Sequence, residues 1–156
     1  VPAIIATTVI FGVLLGWADH RAKRSNNATA VVSARHALLI GLAQALALIP
    51  GTSRSGVTIT AALFLGYHPA SATRFSFLLS VPVIGGALLL MVASSTGDVG
   101  AIGLDKLIVA FAVSAVFAHV TIRGFLYLLE RVGLLPFVVY RLLLGLLLWI
   151  WLTPGL

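Results

Sequence analysis

Residues Leu46–Gly66 read LALIPGTSRSGVTITAALFLG, a hydrophobic run broken by Pro50-Gly51, three hydroxyls and an arginine. The lengths of the apolar flanks decide the fold. Ala37–Ile49 supplies about 13 residues, roughly 20 Å of helix at 1.5 Å per residue, and Val57–Leu65 supplies fewer. Neither crosses a hydrocarbon core about 30 Å thick. Two half-length helices joined by a polar turn predict a re-entrant hairpin over about residues 37–66, entering and leaving the membrane on one side. Irregular backbone inside a membrane persists only where protein or water satisfies its polar groups.

The rest of the chain supports a lipid solvent. Its 156 residues are 60% hydrophobic and 9% charged, with mean hydropathy +1.13. Charged residues make up roughly a quarter of a soluble globular chain, so much of this surface must face lipid. Four segments approach the roughly 20 apolar residues of a spanning helix: Val1–Trp17, Phe75–Ala93, Leu107–Leu129 and Leu134–Leu152. Trp149 and Trp151 close the last as interfacial anchors would, and Gly85, Gly86 and Ala87 offer a small-residue packing face. The expected architecture is an all-α integral membrane protein. About four transmembrane helices and the hairpin form one transmembrane domain over residues 1–156.

Charge sets the orientation. The net charge is +6 and the pI about 10.9, yet no basic patch is interleaved with stacking aromatics, so no nucleic-acid partner is expected. Arg21, Lys23, Arg24 and Arg35 precede the hairpin, Arg74 follows it, and Arg131 follows the third span. The positive-inside rule puts all of these in the cytoplasm and the loop with Asp98, Asp105 and Lys106 outside. A single kinked, crossing helix would separate Arg35 from Arg74, so the rule favours the hairpin. Ser25–Ala30, SNNATA, reads as a cytoplasmic linker. The chain starts at Val1 inside an apolar run, with no initiator Met and no signal-peptide pattern; the expectation is the C-terminal part of a longer polytopic protein. There is no cysteine, hence no disulfide or thiolate metal site.

Pro50–Gly56, PGTSRSG, has the composition of an oxyanion cradle. Gly51 and Gly56 allow unusual backbone and close ligand approach. Thr52, Ser53 and Ser55 bring hydroxyls, and Arg54 a planar fork of donors matched to phosphate oxygens. A helix predicted to start near Val57 turns its positive end to the loop. Gly51 and Gly56 have P-loop spacing and Thr58 stands at the Ser/Thr position, but Val57 replaces the Lys, so it is not a P-loop. Nor is it a nucleophile elbow, which would need glycine at position 55. A plain connecting turn with Ser55 as helix cap explains the hydroxyls. It leaves an intramembrane arginine, costing about 2.5–3.5 kcal/mol on insertion scales, without a purpose.

IGLAQALALIPGTSRSGVTITAALFLG, followed by ATRFSFLLSVPVI and later FVVYRLLLG, resembles the second signature of the bacterial undecaprenyl-diphosphate phosphatases, or bacitracin-resistance proteins. The resemblance covers essentially the whole chain. It implies a bacterial inner-membrane enzyme that hydrolyses a C55 polyprenyl diphosphate to the monophosphate, recycling the lipid carrier of peptidoglycan synthesis. It implies one half of an inverted-repeat fold, each half carrying a hairpin. The family's first repeat has a Glu-x-x-x-Glu helix and a Ser-rich loop ending in His; Gln44 and Leu48 stand at the corresponding positions here. This chain therefore resembles the C-terminal half, the phosphate-binding arm. The residues so assigned are Arg54, Ser53 and Ser55 as catalytic, and Gly51, Thr52, Gly56, Thr58 and Arg74 as phosphate contacts. No metal ligand is expected in this chain. A divalent cation, Mg²⁺ or Ca²⁺, is implied on carboxylates of an N-terminal half, which would be the main partner besides lipid; homodimerisation is left open. Water and Ser53 both remain as nucleophile. An anionic-substrate transporter or flippase built from broken helices is the alternative function.

The remaining polar residues carry plainer expectations. Asp19, Asp98, Asp105 and Glu130 lie near span ends without an i, i+4 carboxylate pair, so they make no metal or acid–base constellation. Glu130 is expected to pair with Arg131, and His20, His36 and His68 to be solvated. His119, one turn before Arg123, is expected in an interhelical hydrogen bond. Arg141 on the last span needs a polar partner or a water-filled cavity, with structural pairing preferred to substrate contact.

Overall fold

The computed structural model describes residues 2–24, 32–94 and 103–152, all helical but for short joints. Helices α1 (Pro2–Arg24), α2 (Ala34–Ala43), α3 (Arg54–Phe64), α4 (Pro69–Ser94), α5 (Leu104–Val132) and α6 (Leu135–Leu152) follow in order, with a 3₁₀ turn at Gln44–Leu48 extending α2. Val1, the Ser25–Ala30 linker and Asp98 lie outside the described residues. Four helices, α1, α4, α5 and α6, are long and apolar enough to cross a membrane. This is an all-α, multi-pass membrane protein.

The spans outrun the hydropathy estimate. The apolar stretch of α1 stops near Trp17, but the helix continues to Arg24. Its polar end is held by an i, i+4 pair, Lys23 Nζ to Asp19 Oδ2 at 2.7 Å. The hairpin is present. α2 and its 3₁₀ extension run to the Pro50 turn, and α3 returns. The two bases are joined where His36 Nδ1 lies 2.7 Å from the Tyr67 hydroxyl, which also accepts the Ser33 N–H at 3.3 Å. Tyr67 is buried. His36 is therefore paired, not solvated as its loop position suggested, because Tyr67 returns to it from 31 residues away.

α3 ends on Gly66, whose φ of +88° suits glycine, and the chain turns directly into α4. Buried Thr58 and Ser76 bridge α3 to α4, their hydroxyl oxygens 2.6 Å apart. α1 packs on α3 and α6. Close helix approach in lipid relies on small residues, and a Cβ on Gly145 would meet Val9 Cγ2 at 2.6 Å, one on Gly16 Val138 Cγ1 at 3.1 Å. Leu15, Ala18, Ile40, Ile59, Leu63 and Leu134 form the centre of the core. α4 and α5 face outward; in its most apolar stretch none of α5 is buried.

Two expectations on these outer helices are corrected. Glu130 pairs with Arg74, Nη2 to Oε1 at 3.0 Å, and Arg131 instead stacks over Tyr127, 4.5 Å from the ring centroid. Adjacent residues on a helix diverge by about 100°, so neighbours in sequence seldom meet. His119 is exposed on α5 and bonds no described residue, because nothing described packs on that part of the helix.

Candidate functional site

Pro50–Gly56 is a tight turn. Ile49 N–H donates to Leu46 O and Thr52 N–H to Ile49 O, each at 3.1 Å. Gly51 takes φ +88°. Its bare Cα is also required by proximity, since a Cβ there would lie 2.7 Å from Ile4 O and 2.8 Å from Ile4 Cα. The loop presses against α1, and two threonines hold it. Thr7 Oγ1 lies 2.8 Å from Pro50 O, with Ala3 O of its own helix at 2.9 Å, so one hydroxyl proton is shared between loop and helix. Thr8 Oγ1 lies 3.3 Å from Gly51 O. Neither threonine carried a motif signal in sequence; each acts across 43 residues.

α3 begins three residues earlier than Val57, so Arg54 is its first helical residue and Ser53, not Ser55, is the cap. Ser53 has extended backbone (φ −73°, ψ 124°) and its Oγ accepts Gly56 N–H at 3.2 Å, the geometry a helix cap requires. Ser55 Oγ stands 3.3 Å from Ser53 Oγ and is exposed. The first-turn N–H groups of α3 have no intrahelical acceptor and give this end its partial positive charge. The Arg54 guanidinium forms no hydrogen bond or ion pair with any described residue. Two hydroxyls, Ser53 and Ser55, and the start of α3 thus stand together, with Arg54 as the first residue of that helix.

The other predicted contacts lie apart. Thr58 Oγ1 is 3.1 Å from both Arg54 O and Ser55 O and meets Ser76, so its hydroxyl supports the first turn of α3 from behind. Arg74 is turned toward Glu130. In their place α6 brings Arg141. Its Nη2 donates to Gly51 O at 3.4 Å, and its Nη1 is buried without a partner. Pairing with a protein group is thus one long bond, less than the sequence reading expected. A lone charge within a span was the one signal that could have pointed here. Thr52 Oγ1 is likewise buried without a partner. A cavity of about 190 Å³ opens between Ser53, Ser55, Gly56 and Arg141.

The donor set suits an anion. Among the described residues no group of three or more His, Asp or Glu side chains could hold a metal ion, and the loop's hydroxyls and guanidinium are not the carboxylate oxygens a hard cation selects. The residues present do not fit a divalent ion by themselves.

Residues 1–147 match the family described as bacitracin resistance protein BacA. Similar relatives are undecaprenyl-diphosphatases. That of Alcanivorax borkumensis is 53% identical over 150 residues, covering 96% of this chain and 56% of the relative. That of Chromohalobacter salexigens is 51% identical over 150 residues, covering 95% and 56%. That of Teredinibacter turnerae is 52% identical over 152 residues, covering 94% and 55%. The chain spans about half the length of the curated relatives it matches.

Proposed function

The chain belongs to the bacitracin resistance protein BacA family, and on that premise we propose that it is the phosphate-binding arm of an undecaprenyl diphosphatase. The whole enzyme would hydrolyse undecaprenyl diphosphate to undecaprenyl phosphate and phosphate in the bacterial inner membrane. It would thereby recycle the lipid carrier of peptidoglycan synthesis and confer bacitracin resistance. The relatives' names support hydrolysis over transport. One observation carries the assignment of roles: Arg54, its guanidinium unpaired among the described residues, stands at the positive end of α3 beside the capping Ser53 and exposed Ser55.

In this reading a water attacks the terminal phosphorus, the bond to the bridging oxygen breaks, and the electron pair leaves with the lipid monophosphate. Charge builds on the equatorial oxygens of the transferring group, where positioned donors act most strongly. Arg54 and the first N–H groups of α3 face that charge. Ser53 Oγ accepts Gly56 N–H, which fixes its position and leaves its own O–H free to donate to a phosphate oxygen. Gly51 and Thr52 shape the turn, Gly56 leaves room beside it, and Thr58 braces the helix end. Arg74, held by Glu130, would meet phosphate only on releasing that carboxylate. A divalent cation would be held by carboxylates elsewhere in the longer protein, its N-terminal half, and a homodimer is compatible with the outward α5 face.

The test is phosphate release from undecaprenyl diphosphate by purified full-length protein. Arg54→Lys keeps the charge but not the fork; losing one such donor lowers turnover roughly 10²–10³-fold. No release by the wild type would refute the diphosphatase reading, and near-wild-type turnover by the variant would remove Arg54 from its role.

A further inference from the structure

We infer that the cavity at the basic end of the helices, between α1, α4 and α5, binds the phosphodiester headgroup of an anionic phospholipid of the phosphatidylglycerol type. The cavity shares no residue with the Pro50–Gly56 loop, and the inference needs nothing from the diphosphatase reading. Its volume is about 460 Å³, within the roughly 300–1,000 Å³ of ordinary ligand sites. Lys23 lines it from α1, His68 from the joint before α4, and Glu130 and Arg131 from the end of α5. The described charges at this end are one-sided: Arg21, Lys23, Arg35, Arg74 and Arg131 stand against Asp19 and Glu130.

The carboxylate lining the cavity is taken, and the donors are not. Glu130 Oε1 lies 3.0 Å from Arg74 Nη2. Lys23 Nζ has three N–H bonds and gives one to Asp19 Oδ2 at 2.7 Å. That nitrogen is lodged at the α5–α6 corner, 3.1 Å from where a Cβ on Gly133 would stand; a side chain there would crowd it. His68 Nδ1 accepts Ala70 N–H at 3.3 Å, so the neutral ring carries its proton on Nε2 and has a donor to offer. Arg131 lies over the Tyr127 ring, 4.5 Å from its centroid, a contact that uses no N–H donor. A phosphodiester has two free oxygens that accept from an ammonium, an imidazole and a guanidinium together.

The position selects a lipid over a dissolved anion. Val132 lines the cavity and is 52% exposed; Tyr127 and Leu128, about one turn deeper on α5, are 58% and 45% exposed. Acyl chains leaving a headgroup at this height run along that surface, whereas inorganic phosphate makes no use of it. The positive-inside rule puts this end at the cytoplasmic face, where basic pockets between spanning helices take anionic headgroups. His68 directly follows Tyr67, which joins the two bases of the hairpin. An occupied site therefore ties α1 and α5 to the hairpin's foot.

The experiment titrates full-length protein, delipidated in a neutral detergent, with dioleoyl-phosphatidylglycerol or dioleoyl-phosphatidylcholine and reads affinity from the rise in thermal midpoint. Phosphatidylglycerol is expected to raise the midpoint, and phosphatidylcholine, with the same chains and no net charge, much less. Arg131→Gln should weaken phosphatidylglycerol about fivefold, the weight of one cation beside an anionic lipid. Asp19→Asn with Lys23→Gln removes the second cation without stranding a buried carboxylate and should weaken it by a similar factor. Arg131 is exposed, so its variant reads the site even where the double variant does not fold. Arg21→Gln removes the same charge at the same end from outside the cavity, and should change the affinity by less than about twofold. Equal losses in Arg21→Gln and Arg131→Gln would mean diffuse surface attraction and overturn the site, as would an unchanged affinity in Arg131→Gln. No preference for phosphatidylglycerol in the wild type would also overturn it, the result expected if another part of the longer protein fills the cavity. Stabilisation by inorganic phosphate or glycerol phosphate equal to that by the lipid would make this a site for a dissolved anion, and the lipid assignment would fall. A wild type that keeps the lipid preference yet releases no phosphate would leave this site standing while the diphosphatase reading fails.

Discussion

Gly51→Ala is the sharpest perturbation of the loop. The new Cβ would lie 2.8 Å from Ile4 Cα and 2.7 Å from Ile4 O. Carbon atoms rest about 3.5–4.0 Å apart, so loop and helix must separate by roughly 0.7–1.2 Å. Alanine at φ +88° adds about 1–2 kcal/mol of left-handed strain. Separation also stretches the contacts of Thr7 and Thr8 to Pro50 and Gly51, each worth about 1 kcal/mol. The sum is roughly 2–4 kcal/mol against the observed loop position. A displacement near 1 Å at a reacting centre costs about 10²-fold in rate. The expected outcome in full-length protein is kcat/KM down by about two orders of magnitude, with monodisperse protein still recovered from detergent because the four spans are untouched. Adding Thr7→Ala should not rescue it, since the Ile4 backbone cannot rotate away. Turnover within a few-fold of wild type, or rescue by Thr7→Ala, would refute the argument that α1 backbone fixes the loop.

Other outcomes follow from the same geometry. Tyr67→Phe removes the hydroxyl shared by His36 and Ser33 and should destabilise the hairpin by about 1–3 kcal/mol, read as faster proteolysis near residues 33–36; unchanged protection would mean that the bases are held by packing alone. The chain has no cysteine, so single cysteines at exposed His20 and His68 should be labelled by a membrane-impermeant thiol reagent from one side, and at Asp105 from the other. Labelling of positions 20 and 68 from opposite sides would exclude the re-entrant hairpin. Residues 1–156 expressed alone should enter the membrane yet release no phosphate with Mg²⁺ or Ca²⁺, whereas co-expression with the proposed N-terminal half should restore release if the two dock as separate folding units. Arg54-dependent turnover by residues 1–156 alone would show a complete site in this half.

The four spans and the hairpin were legible because their lengths are set by bilayer thickness and their polarity is local. Helix ends were less so. Hydropathy falls at Trp17 while the backbone bonds of α1 and the Asp19–Lys23 pair carry the helix on; it rises at Val57 although Ser53 has already capped α3. The loop's own chemistry could be read from PGTSRSG. Its supports could not, because Thr7, Thr8 and Arg141 lie 43 to 90 residues from their loop partners. A threonine in an apolar helix and a hydrogen bond back to its own turn look alike in sequence. Only the packing of α1 and α6 around the loop distinguishes a tether from a local contact.

The threonine tether also works as a depth gauge. Thr7 and Lys23 are 16 residues apart on one continuous helix, about 24 Å at 1.5 Å per residue, against a hydrocarbon thickness of about 30 Å. Pro50, bonded to Thr7, is therefore carried most of the way from the basic end of α1 to the opposite surface. For a re-entrant hairpin the expectation is that water reaches its tip from the compartment opposite its feet, although the segment does not complete a crossing. An impermeant reagent should modify Ser55→Cys from the compartment that reaches Asp105, and a cysteine at His68 from the other.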